Sequence, residues 1–367
     1  MNYKFLFFSV NRHQKSYFDS LLSVIRKRDK KISLHNRSLI WLLPSLLIKK
    51  SDISLAYSAS LIRLKYFYNK TGKRSGFVQD FAFMSLYYFT TLVFLLKIKK
   101  LVSVNHFDII ILWNDMKWHQ FVIKNIASQK NIKVAFFENG ALPNTVTFDT
   151  LGVNFNNSVP KDKEFYLNKY VDKNLSSPEI VNLSEINEGY IFVPFQVDYD
   201  TQIISHSPWI KDMESFYEVL NSLVSTLHNG INIIIKEHPK SSRNYEFLHH
   251  RNSRIKFDNQ SDTEDLVLNS ELIITINSTV GLESIIKDKP VMVLGRAFYA
   301  IEGLCQKASS EAEVIFKARC VSAPNENIKN SFMSYLTEYY VPGNWRSPSV
   351  EHLVAIEKRI YEVVEET

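Results

Sequence analysis

Short apolar runs alternate along most of this chain with longer amphipathic segments, and this alternation constrains the fold more than any other feature. The runs with the character of buried strands are Lys4–Val10, Ile109–Trp113, Lys133–Phe137, Tyr190–Pro194, Ile231–Ile235, Leu272–Ile276 and Val291–Leu294. The segments of helical length between them are 16–28, 116–130, 210–228, 262–270 and 279–287. Continuously apolar strands separated by helices are typical of a parallel sheet that is covered on both faces.

The length of the chain, 367 residues, favours two domains over a single hydrophobic core. A polar, turn-rich stretch over 150–188 interrupts the alternation and predicts the junction. We therefore expect an N-terminal α/β domain over 1–185, a C-terminal α/β domain over 186–345, and a closing helix over 346–367. The predicted fold class is α/β, with two Rossmann-like domains facing each other across a cleft and ligands at the carboxyl ends of the strands.

The charge and cysteine content restrict the partners and the compartment. A formal net charge of +6 and a pI near 9.0 are compatible with a phosphate-bearing partner or an anionic membrane, although the excess is modest. Two cysteines, Cys305 and Cys320, provide no framework for a metal or for disulfides, which favours a reducing cytosol. The N-terminal sequence lacks the long apolar core and small-residue cleavage site of a signal peptide.

One apolar segment, Phe81–Leu96, raises the question of membrane contact. Its 16 uncharged residues fall short of the roughly 18–20 that a bilayer span needs. We favour a buried amphipathic helix over an interfacial helix and over a true span. Lys97, Lys99 and Lys100, together with "WLLPSLLIKK" at 41–50, would suit a peripheral contact with anionic lipid.

The segment "ELIITINSTVGLES" at 271–284 predicts a strand, a turn and a helix, with Asn277, Ser278 and Thr279 at the turn. Unpaired N–H groups and the dipole at a helix N-terminus favour an anion such as a phosphate. Serine and threonine are also ordinary helix caps, so the motif alone leaves both interpretations open.

Two further groups of basic residues follow predicted strands. Lys236 and His238 emerge after the strand at 231–235, where they can neutralise a departing phosphate. Arg296 follows the strand at 291–294, where anion binding and an ordinary surface charge are equally good interpretations. Neighbouring parallel strands would deliver these loops to the same rim as Ser278.

The stretch after the strand at 190–194 carries two carboxylates, Asp198 and Asp200. They superficially match the D-x-D pair that holds a metal in some glycosyltransferases. One aspartate acting as nucleophile or base is at least as good an interpretation, and solvated loop carboxylates are the simplest one. Gln196, just before the pair, would suit sugar binding.

The first half of the chain contributes a third carboxylate, Glu138, in "FFENGALPNTVTFDTLGVNFNNSVP". The strand at 133–137 places Glu138 at its carboxyl end, Gly140 permits a tight bend, and a long irregular loop is expected to follow. A carboxylate there can deprotonate an incoming hydroxyl, or it can belong to an ordinary surface turn. Arg12 and His13 follow the first strand and are expected at the same rim.

Four ordered blocks carry a resemblance to a known family. These blocks lie within residues 107–305: "FFENGALPNTVTFDTLGVNFNNSVP", "VPFQVDYDTQIISHSPWI", "IIKEHP" and "INSTVGLESIIKDKPVMVLGRAFYAIEGL". Together they resemble the bacterial capsule polysaccharide biosynthesis family of KpsS/KpsC type, whose characterised enzymes are β-Kdo transferases that use CMP-Kdo. Residues 14–100 show only general similarity.

The resemblance implies a GT-B arrangement, an acceptor domain followed by a CMP-sugar domain, and a role for each candidate residue. Glu138 would be the general base, Asp200 the nucleophile of a retaining reaction with Asp198 as the second choice, and His238 the group that stabilises departing CMP. The expected donor-binding residues are Gln196, Lys236, Asn277, Ser278, Thr279 and Arg296. The expected acceptor-side residues are Arg12, His13, Asn139, Gly140 and Asn154.

The resemblance also implies the partners and leaves alternatives. A monophosphate leaving group has less need of a bridging cation than a diphosphate, so no metal or cofactor is expected beyond the substrate CMP-Kdo. The expected acceptor is a capsule glycolipid or glycan at the cytoplasmic face of the inner membrane, in contact with capsule assembly proteins. The alternatives are a sialyltransferase-like enzyme for another CMP-ulosonic acid and a non-catalytic assembly or export component. No recognition helix or stacking pattern favours nucleic acid.

Overall fold

A computed structural model describes residues 2–72, 76–169, 180–183, 186–241 and 243–366. The chain forms two compact units. The first unit comprises Met1–Lys65, Arg74–Ser158 and Thr337–Thr367, and the second comprises Tyr66–Lys73 and Val159–Leu336. This division differs from the expected one, because the first unit ends at Ser158 and regains the chain from Thr337 onward. The expected boundary at residue 185 itself lies outside the described residues.

The elements are as follows in chain order. The strands are β1 (Lys4–Ser9), β2 (Lys30–His35), β3 (Ile109–Trp113), β4 (Lys133–Asn139), β5 (Thr145–Asp149), β6 (Ile180–Asn182), β7 (Gly189–Pro194), β8 (Ile231–Lys236), β9 (Ile255–Phe257), β10 (Leu272–Thr275), β11 (Val291–Val293), β12 (Gln306–Lys307), β13 (Cys320–Ser322) and β14 (Val341–Pro342). The helices are α1 (Arg12–Val24), α2 (Lys50–Thr71), α3 (Phe77–Asn105), α4 (Trp118–Gln129), α5 (Lys163–Lys169), α6 (Thr201–His206), α7 (Met213–Val224), α8 (Thr263–Leu268), α9 (Thr279–Ile286), α10 (Glu311–Lys317), α11 (Glu326–Tyr339) and α12 (Val350–Glu365). Short 3-10 helices cover Asn36–Trp41, Asn154–Asn156 and Glu246–Leu248.

The sheet of the first unit has the order β14-β5-β4-β3-β1-β2. Strands β2, β1, β3 and β4 are parallel, whereas β5 runs antiparallel to β4 and β14 antiparallel to β5. The chain leaves β1 toward β2 on one side and later returns to β3 on the other side. This reversal is the switch point at which open α/β sheets bind ligands.

Both faces of this sheet are covered, as the apolar strands require. On one face α1 and α12 pack against alternate residues of β1 and β3, including Phe5, Phe7 and Ile109. On the other face α3 and α4 pack against Leu6 and Ile110. The apolar face of α12 is therefore part of the first core, and this explains why the chain returns to the first unit after residue 337.

The second unit contains a parallel sheet of order β12-β11-β10-β7-β8-β9. Its core joins β7, β8 and β10 to α7, with Ile191, Ile233, Ile274 and Phe216 all fully buried. The switch point lies between β7 and β10, because β7, β8 and β9 proceed outward in one direction and β10, β11 and β12 in the other. Strands β6 and β13 form a separate antiparallel pair.

The structure confirms each predicted strand, with bounds shifted by no more than about two residues. It also contains each predicted helix, with bounds shifted by up to about four residues. The prediction was wrong about the loop after Glu138. Strand β4 continues through Asn139, and β5 pairs with it so that Glu138 lies opposite Thr147. The polar appearance of this stretch hid a second strand, because Thr145 and Thr147 alternate with the apolar Val146 and Phe148 along β5.

Candidate active site

The carboxyl ends of β7 and β10 meet at the switch point of the second unit, and an amide pair joins them there. The Gln196 side chain donates to Asn277 Oδ1 at 2.9 Å, and the Asn277 backbone N–H donates to Gln196 Oε1 at 3.2 Å. Asn277 Nδ2 also donates to the Gln202 carbonyl at 3.1 Å. Both side chains are buried. The structure thus brings these two predicted residues together, and their amides hold the two loops to each other.

Ser278 caps α9, because its hydroxyl accepts a hydrogen bond from the Val280 N–H at 3.2 Å. The Ser278 N–H donates to Thr275 Oγ1 at 3.2 Å, and the Tyr299 hydroxyl donates to the Ser278 carbonyl. The ordinary capping function of Ser278 is therefore present. Thr279, the first residue of α9, is exposed at the same end of the helix.

His238 lies just beyond the carboxyl end of β8, next to β7 in the sheet. Its Nδ1 accepts a hydrogen bond from the Lys240 N–H at 3.0 Å, so in the neutral ring Nε2 carries the proton. Nε2 has no hydrogen-bond partner among the residues that the structure describes. Burial lowers the pKa of His238, the nearby Asp200 carboxylate opposes that effect, and Lys240 adds to it.

The two carboxylates of the D-x-D stretch have different environments. Asp198 is buried and accepts hydrogen bonds from the Met213 N–H at 2.8 Å, from Arg243 Nη1 at 3.0 Å and from the Tyr245 hydroxyl at 2.5 Å. These three donors tie the Asp198 side chain to α7, Arg243 and Tyr245 within the second unit. Asp200 is exposed and caps α6 by accepting from the Gln202 N–H at 2.9 Å.

The two remaining basic candidates of the second unit lie in different surroundings. Lys236 donates its ammonium hydrogen to the carbonyl of Ser261. Arg296 is exposed, and its N–H donates to the His206 carbonyl at 2.7 Å. Burial, with a smaller contribution from the Arg296 charge, lowers the pKa of His206 to about 4.

In the first unit, Glu138 is held at the carboxyl edge of the sheet by three donors. Trp113 Nε1 donates to Oε1 at 3.2 Å, Asn114 Nδ2 donates to Oε2 at 2.8 Å, and the Asn139 N–H donates to Oε1 at 3.0 Å. The side chain is half-buried. A carboxylate offers about four acceptor positions. The three donors therefore orient the Glu138 carboxylate and leave one position that can accept a proton or a further hydrogen bond.

Asn114 adopts a left-handed backbone conformation with φ 70° directly after β3. Its N–H donates to the Phe137 carbonyl at 2.7 Å, and its Oδ1 accepts from the Met116 N–H at 2.8 Å. Such a conformation is uncommon for a non-glycine residue and is tolerated best by asparagine. Sequence reasoning missed Asn114; the available signal was the polar pair Asn114-Asp115 directly after a continuously apolar strand.

Gly140 is needed for space rather than for a left-handed bend. A Cβ on this residue would lie 1.8 Å from Thr145 Oγ1 and 2.9 Å from the Thr145 carbonyl carbon. The Gly140 N–H donates to the Thr145 carbonyl at 2.8 Å, which closes the hairpin between β4 and β5. The close approach, and not a positive φ, is what excludes a side chain.

Aromatic rings surround the Trp113 side of Glu138. The Trp345 ring lies 5.2 Å from the Trp113 ring and 6.2 Å from the His13 ring, measured between centroids. His13 and Arg12 form the exposed start of α1, which Asn11 caps. Sequence reasoning missed Trp345, because it lies more than two hundred residues beyond Glu138.

Asn154 begins a 3-10 turn with φ 54°, in a loop organised by two carboxylates. Asp149 accepts from the N–H groups of Leu151, Gly152 and Ser158. Asp115 accepts from Asn156 Nδ2 at 2.8 Å, and burial raises its pKa. The part of the predicted irregular stretch that follows β5 is therefore a loop held by hydrogen bonds to these two carboxylates.

Among the residues that the structure describes, no group of three or more His, Cys, Asp or Glu side chains is placed to hold a metal ion.

Comparison with known proteins places this geometry in a class. The chain resembles the solved structure of Thermosulfurimonas dismutans KpsC, described as a beta Kdo 2,7 transferase, with a TM-score of 0.52, 14% identity and coverage of 99% of each chain. Two Rossmann-like α/β units in one chain define a GT-B-type fold, which confirms the predicted fold class.

The sequence comparisons specify the family. Residues 108–180 and 169–344 match the model for "Capsule polysaccharide biosynthesis protein", and the chain belongs to this family. It is 30% identical to Protein FixF of Sinorhizobium fredii over 251 residues, which are 65% of this chain and 62% of FixF. It is 25% identical to the capsule polysaccharide export protein KpsS of Escherichia coli, over 54% of this chain and 69% of KpsS. The chain thus spans less than two thirds of FixF.

Proposed function

We propose that this protein is a glycosyltransferase that moves Kdo from CMP-Kdo to a capsule glycolipid or glycan, with retention of configuration. Membership of the capsule polysaccharide biosynthesis family supports this proposal. So does the position of the candidate residues, because those of the second unit follow the carboxyl ends of β7, β8, β10 and β11 around the switch point.

The observation that carries the proposal is the fixed orientation of His238. Because Nδ1 accepts from the Lys240 N–H, the ring presents a protonated Nε2 even when it is neutral. A lowered pKa favours this neutral form at pH 7. A donor aimed at the oxygen that departs with CMP would lower the barrier by about 3–4 kcal/mol.

Asp200 is the better nucleophile of the two aspartates, because Asp198 is already bound by three donors. In the first step an Asp200 carboxylate oxygen forms a bond to C2 of Kdo. The bond from C2 to the phosphate oxygen breaks, and its electron pair leaves with CMP. In the second step the acceptor hydroxyl oxygen attacks C2 and releases the Asp200 carboxylate.

Glu138 takes the proton of the acceptor hydroxyl in the second step. Its three donors fix the orientation of the carboxylate. Arg12, His13, Asn139, Gly140 and Asn154 are proposed to form the acceptor side.

The donor is proposed to bind through groups at the edge of the second sheet. The exposed Thr279 and the N-terminus of α9, together with Ser278, would hold the phosphate or the sugar carboxylate, because helix N-termini favour anions. Arg296 and Lys236 would add positive charge. Gln196 and Asn277 are assigned as positioning residues, since their amide groups bind each other. A monophosphate leaving group needs no metal in this scheme.

Mass spectrometry of reaction products tests these roles. The purified protein is incubated with CMP-Kdo and a capsule glycolipid extract, and the acceptor is expected to gain the mass of one Kdo residue. His238→Ala and Glu138→Ala should each reduce the yield at least about 100-fold. His250→Ala is the matched control, because His250 is an exposed histidine. In a parallel incubation with CMP-sialic acid, transfer of sialic acid and not of Kdo would favour the other CMP-ulosonate. Full activity of both variants would refute the assigned roles.

A further inference from the structure

The first unit exposes an unusual amount of apolar surface on one segment of the chain. In the loop 40–48, the exposed fraction is 86% for Trp41, 95% for Leu46 and 77% for Leu47, and Ile40, Leu43 and Ile48 are also more than half exposed. Exposed apolar clusters of this kind mark interaction sites.

Two helices that follow this loop continue the apolar surface. In α2 the exposed residues Ile53, Tyr57 and Leu61 recur every four positions and share one face of the helix. In α3 the first residues, Phe77 and Val78, are more than three-quarters exposed, and Leu86, Phe89 and Val93 form an exposed row further along. We call the loop and these two helix faces the apolar surface.

Helix α3 is the one element, within the part of the chain that the structure describes, with the length and composition to cross a membrane. Its C-terminal half is nevertheless part of the protein core, because Phe94, Leu95, Ile98 and Val102 are buried there with β1 and β3. A helix that spans a bilayer is surrounded by lipid, so its C-terminal half could not also pack against β1 and β3. The geometry therefore favours a helix that lies on a membrane over one that spans it. The expectation of a buried amphipathic helix over Phe81–Leu96 was wrong for residues 81–90, none of which is buried.

Hydrogen bonds from α3 hold the loop with its leucines outward. The Ser45 N–H donates to the Leu96 carbonyl at 3.1 Å, and Lys97 Nζ donates to the Leu39 carbonyl at 3.0 Å. Lys99 forms a buried ion pair with Asp52. Lys97 and Lys99, expected from the sequence to contact lipid, fix the loop instead. A fixed loop loses less conformational entropy when its apolar side chains insert.

The charge of this region identifies the occupant. Residues 30–107 contain 13 basic and two acidic residues, a net charge of +11 in a chain whose total is +6, so the remainder carries −5. The ion pair between Asp52 and Lys99 neutralises one acid and one base of this segment and leaves its net charge unchanged. A second copy of the chain would bring the same positive charge to the contact, whereas an anionic bilayer attracts it at about 1 kcal/mol per lysine near the surface.

We propose that the apolar surface docks the protein on an anionic lipid bilayer. The loop 40–48 inserts among the acyl chains beside the headgroups, with Trp41 at the interface. Lys49 and Lys50, both exposed at the end of the loop, bind lipid phosphates. This inference does not depend on the transferase activity, because vesicle binding is measured without donor or acceptor.

Co-sedimentation with vesicles tests the proposal. The full chain should bind vesicles of phosphatidylglycerol and phosphatidylcholine, and bind pure phosphatidylcholine much more weakly. Replacing Leu43, Leu46 and Leu47 together by serine should reduce partitioning at least about 100-fold. Lys49→Ala combined with Lys50→Ala should reduce it about 30-fold, and added salt should abolish that difference.

Matched controls distinguish docking through the apolar surface from nonspecific adsorption to vesicles. Phe316, in α10 of the second unit, is 72% exposed, which is comparable to Leu43 and Leu47. Phe316→Ser should leave partitioning unchanged. Trp41 fluorescence should shift to the blue on vesicle binding, and Trp41→Phe should remove the shift and retain binding. The proposal is overturned if the protein ignores anionic vesicles, if Phe316→Ser weakens binding equally, or if the leucine variant only converts a dimer to a monomer.

Discussion

Replacement of Asp198 by alanine should destabilise the second unit strongly, whereas replacement of Asp200 should destabilise it only slightly. Asp198 is buried and receives hydrogen bonds from the Met213 N–H, from Arg243 and from the Tyr245 hydroxyl. Removing one partner of a buried ion pair costs about 3–5 kcal/mol. Arg243 retains its second partner, Glu214, at 2.6 Å, so the lower end, about 3 kcal/mol, is expected.

Asp200→Ala is the matched control, two positions away in the same loop. It removes an exposed helix cap, which costs about 1 kcal/mol. In a unit of this size each kcal/mol shifts the melting temperature by about 2–4 °C. The expected decreases are therefore about 6–12 °C for Asp198→Ala and about 2–4 °C for Asp200→Ala.

Scanning calorimetry of the two purified variants measures this difference, and a transfer assay on the same samples completes the comparison. Asp200→Ala should be folded and inactive, and Asp198→Ala should be unstable. If Asp198→Ala melts within about 2 °C of the unmodified protein, the structural function of Asp198 is wrong. An active Asp200→Ala variant would remove Asp200 as the nucleophile.

Three further predictions concern the first unit. Gly140→Ala should lower the melting temperature by several degrees, because its Cβ would lie 1.8 Å from Thr145 Oγ1 in the facing strand. Gly76→Ala, whose Cβ would meet no described atom within 4 Å, should lower it much less. Burial lowers the pKa of His119 to about 3. The unfolded chain binds the same proton near pH 6.5, so the free energy of unfolding should fall by about 3 kcal/mol between pH 6.5 and pH 4. Unfolding measured at several pH values should show this dependence, and His119→Leu should flatten it. Asn114→Gly should keep the backbone conformation and the fold but slow transfer, because Glu138 loses a donor; normal kcat would contradict that role.

The interior strands β1, β3, β4, β7, β8, β10 and β11 could be predicted because they read as continuous apolar runs. The remaining strands of the two sheets, β2, β5, β9, β12 and β14, were not predicted, and β2 and β5 show why. β2, "KKISLH", lies at the edge of its sheet, and β5, "TVTFD", alternates threonine with apolar residues. Both depend on pairing with a neighbour, and that neighbour is not visible in the local pattern.

The return of the C-terminus to the first unit was also beyond local reasoning. The apolar spacing of α12 predicts a packed helix, but its partner sheet is decided by three-dimensional contacts such as the hydrogen bond between Tyr17 and His352 at 2.9 Å. The domain boundary expected from composition was displaced for the same reason.

Within the candidate site, residue types at strand ends were predictable, but their tasks were not. Glu138 and His238 were identified from the strand pattern and the family resemblance. The buried state of Asp198 depends on Arg243 and Tyr245, which lie more than forty residues away in sequence. Hydrogen bonds between residues that are distant in sequence therefore decide which of the two aspartates keeps an exposed carboxylate.

The most direct test of the central claim is the release of CMP from defined donors. The purified protein, with a capsule glycolipid extract as acceptor source, is incubated in parallel with CMP-Kdo and with CMP-sialic acid, and CMP is quantified by chromatography. We expect CMP from CMP-Kdo with the unmodified protein and with His250→Ala, and none above background with His238→Ala. Absence of CMP from both donors, or equal release by His238→Ala, would contradict the assignment of a CMP-ulosonate transferase.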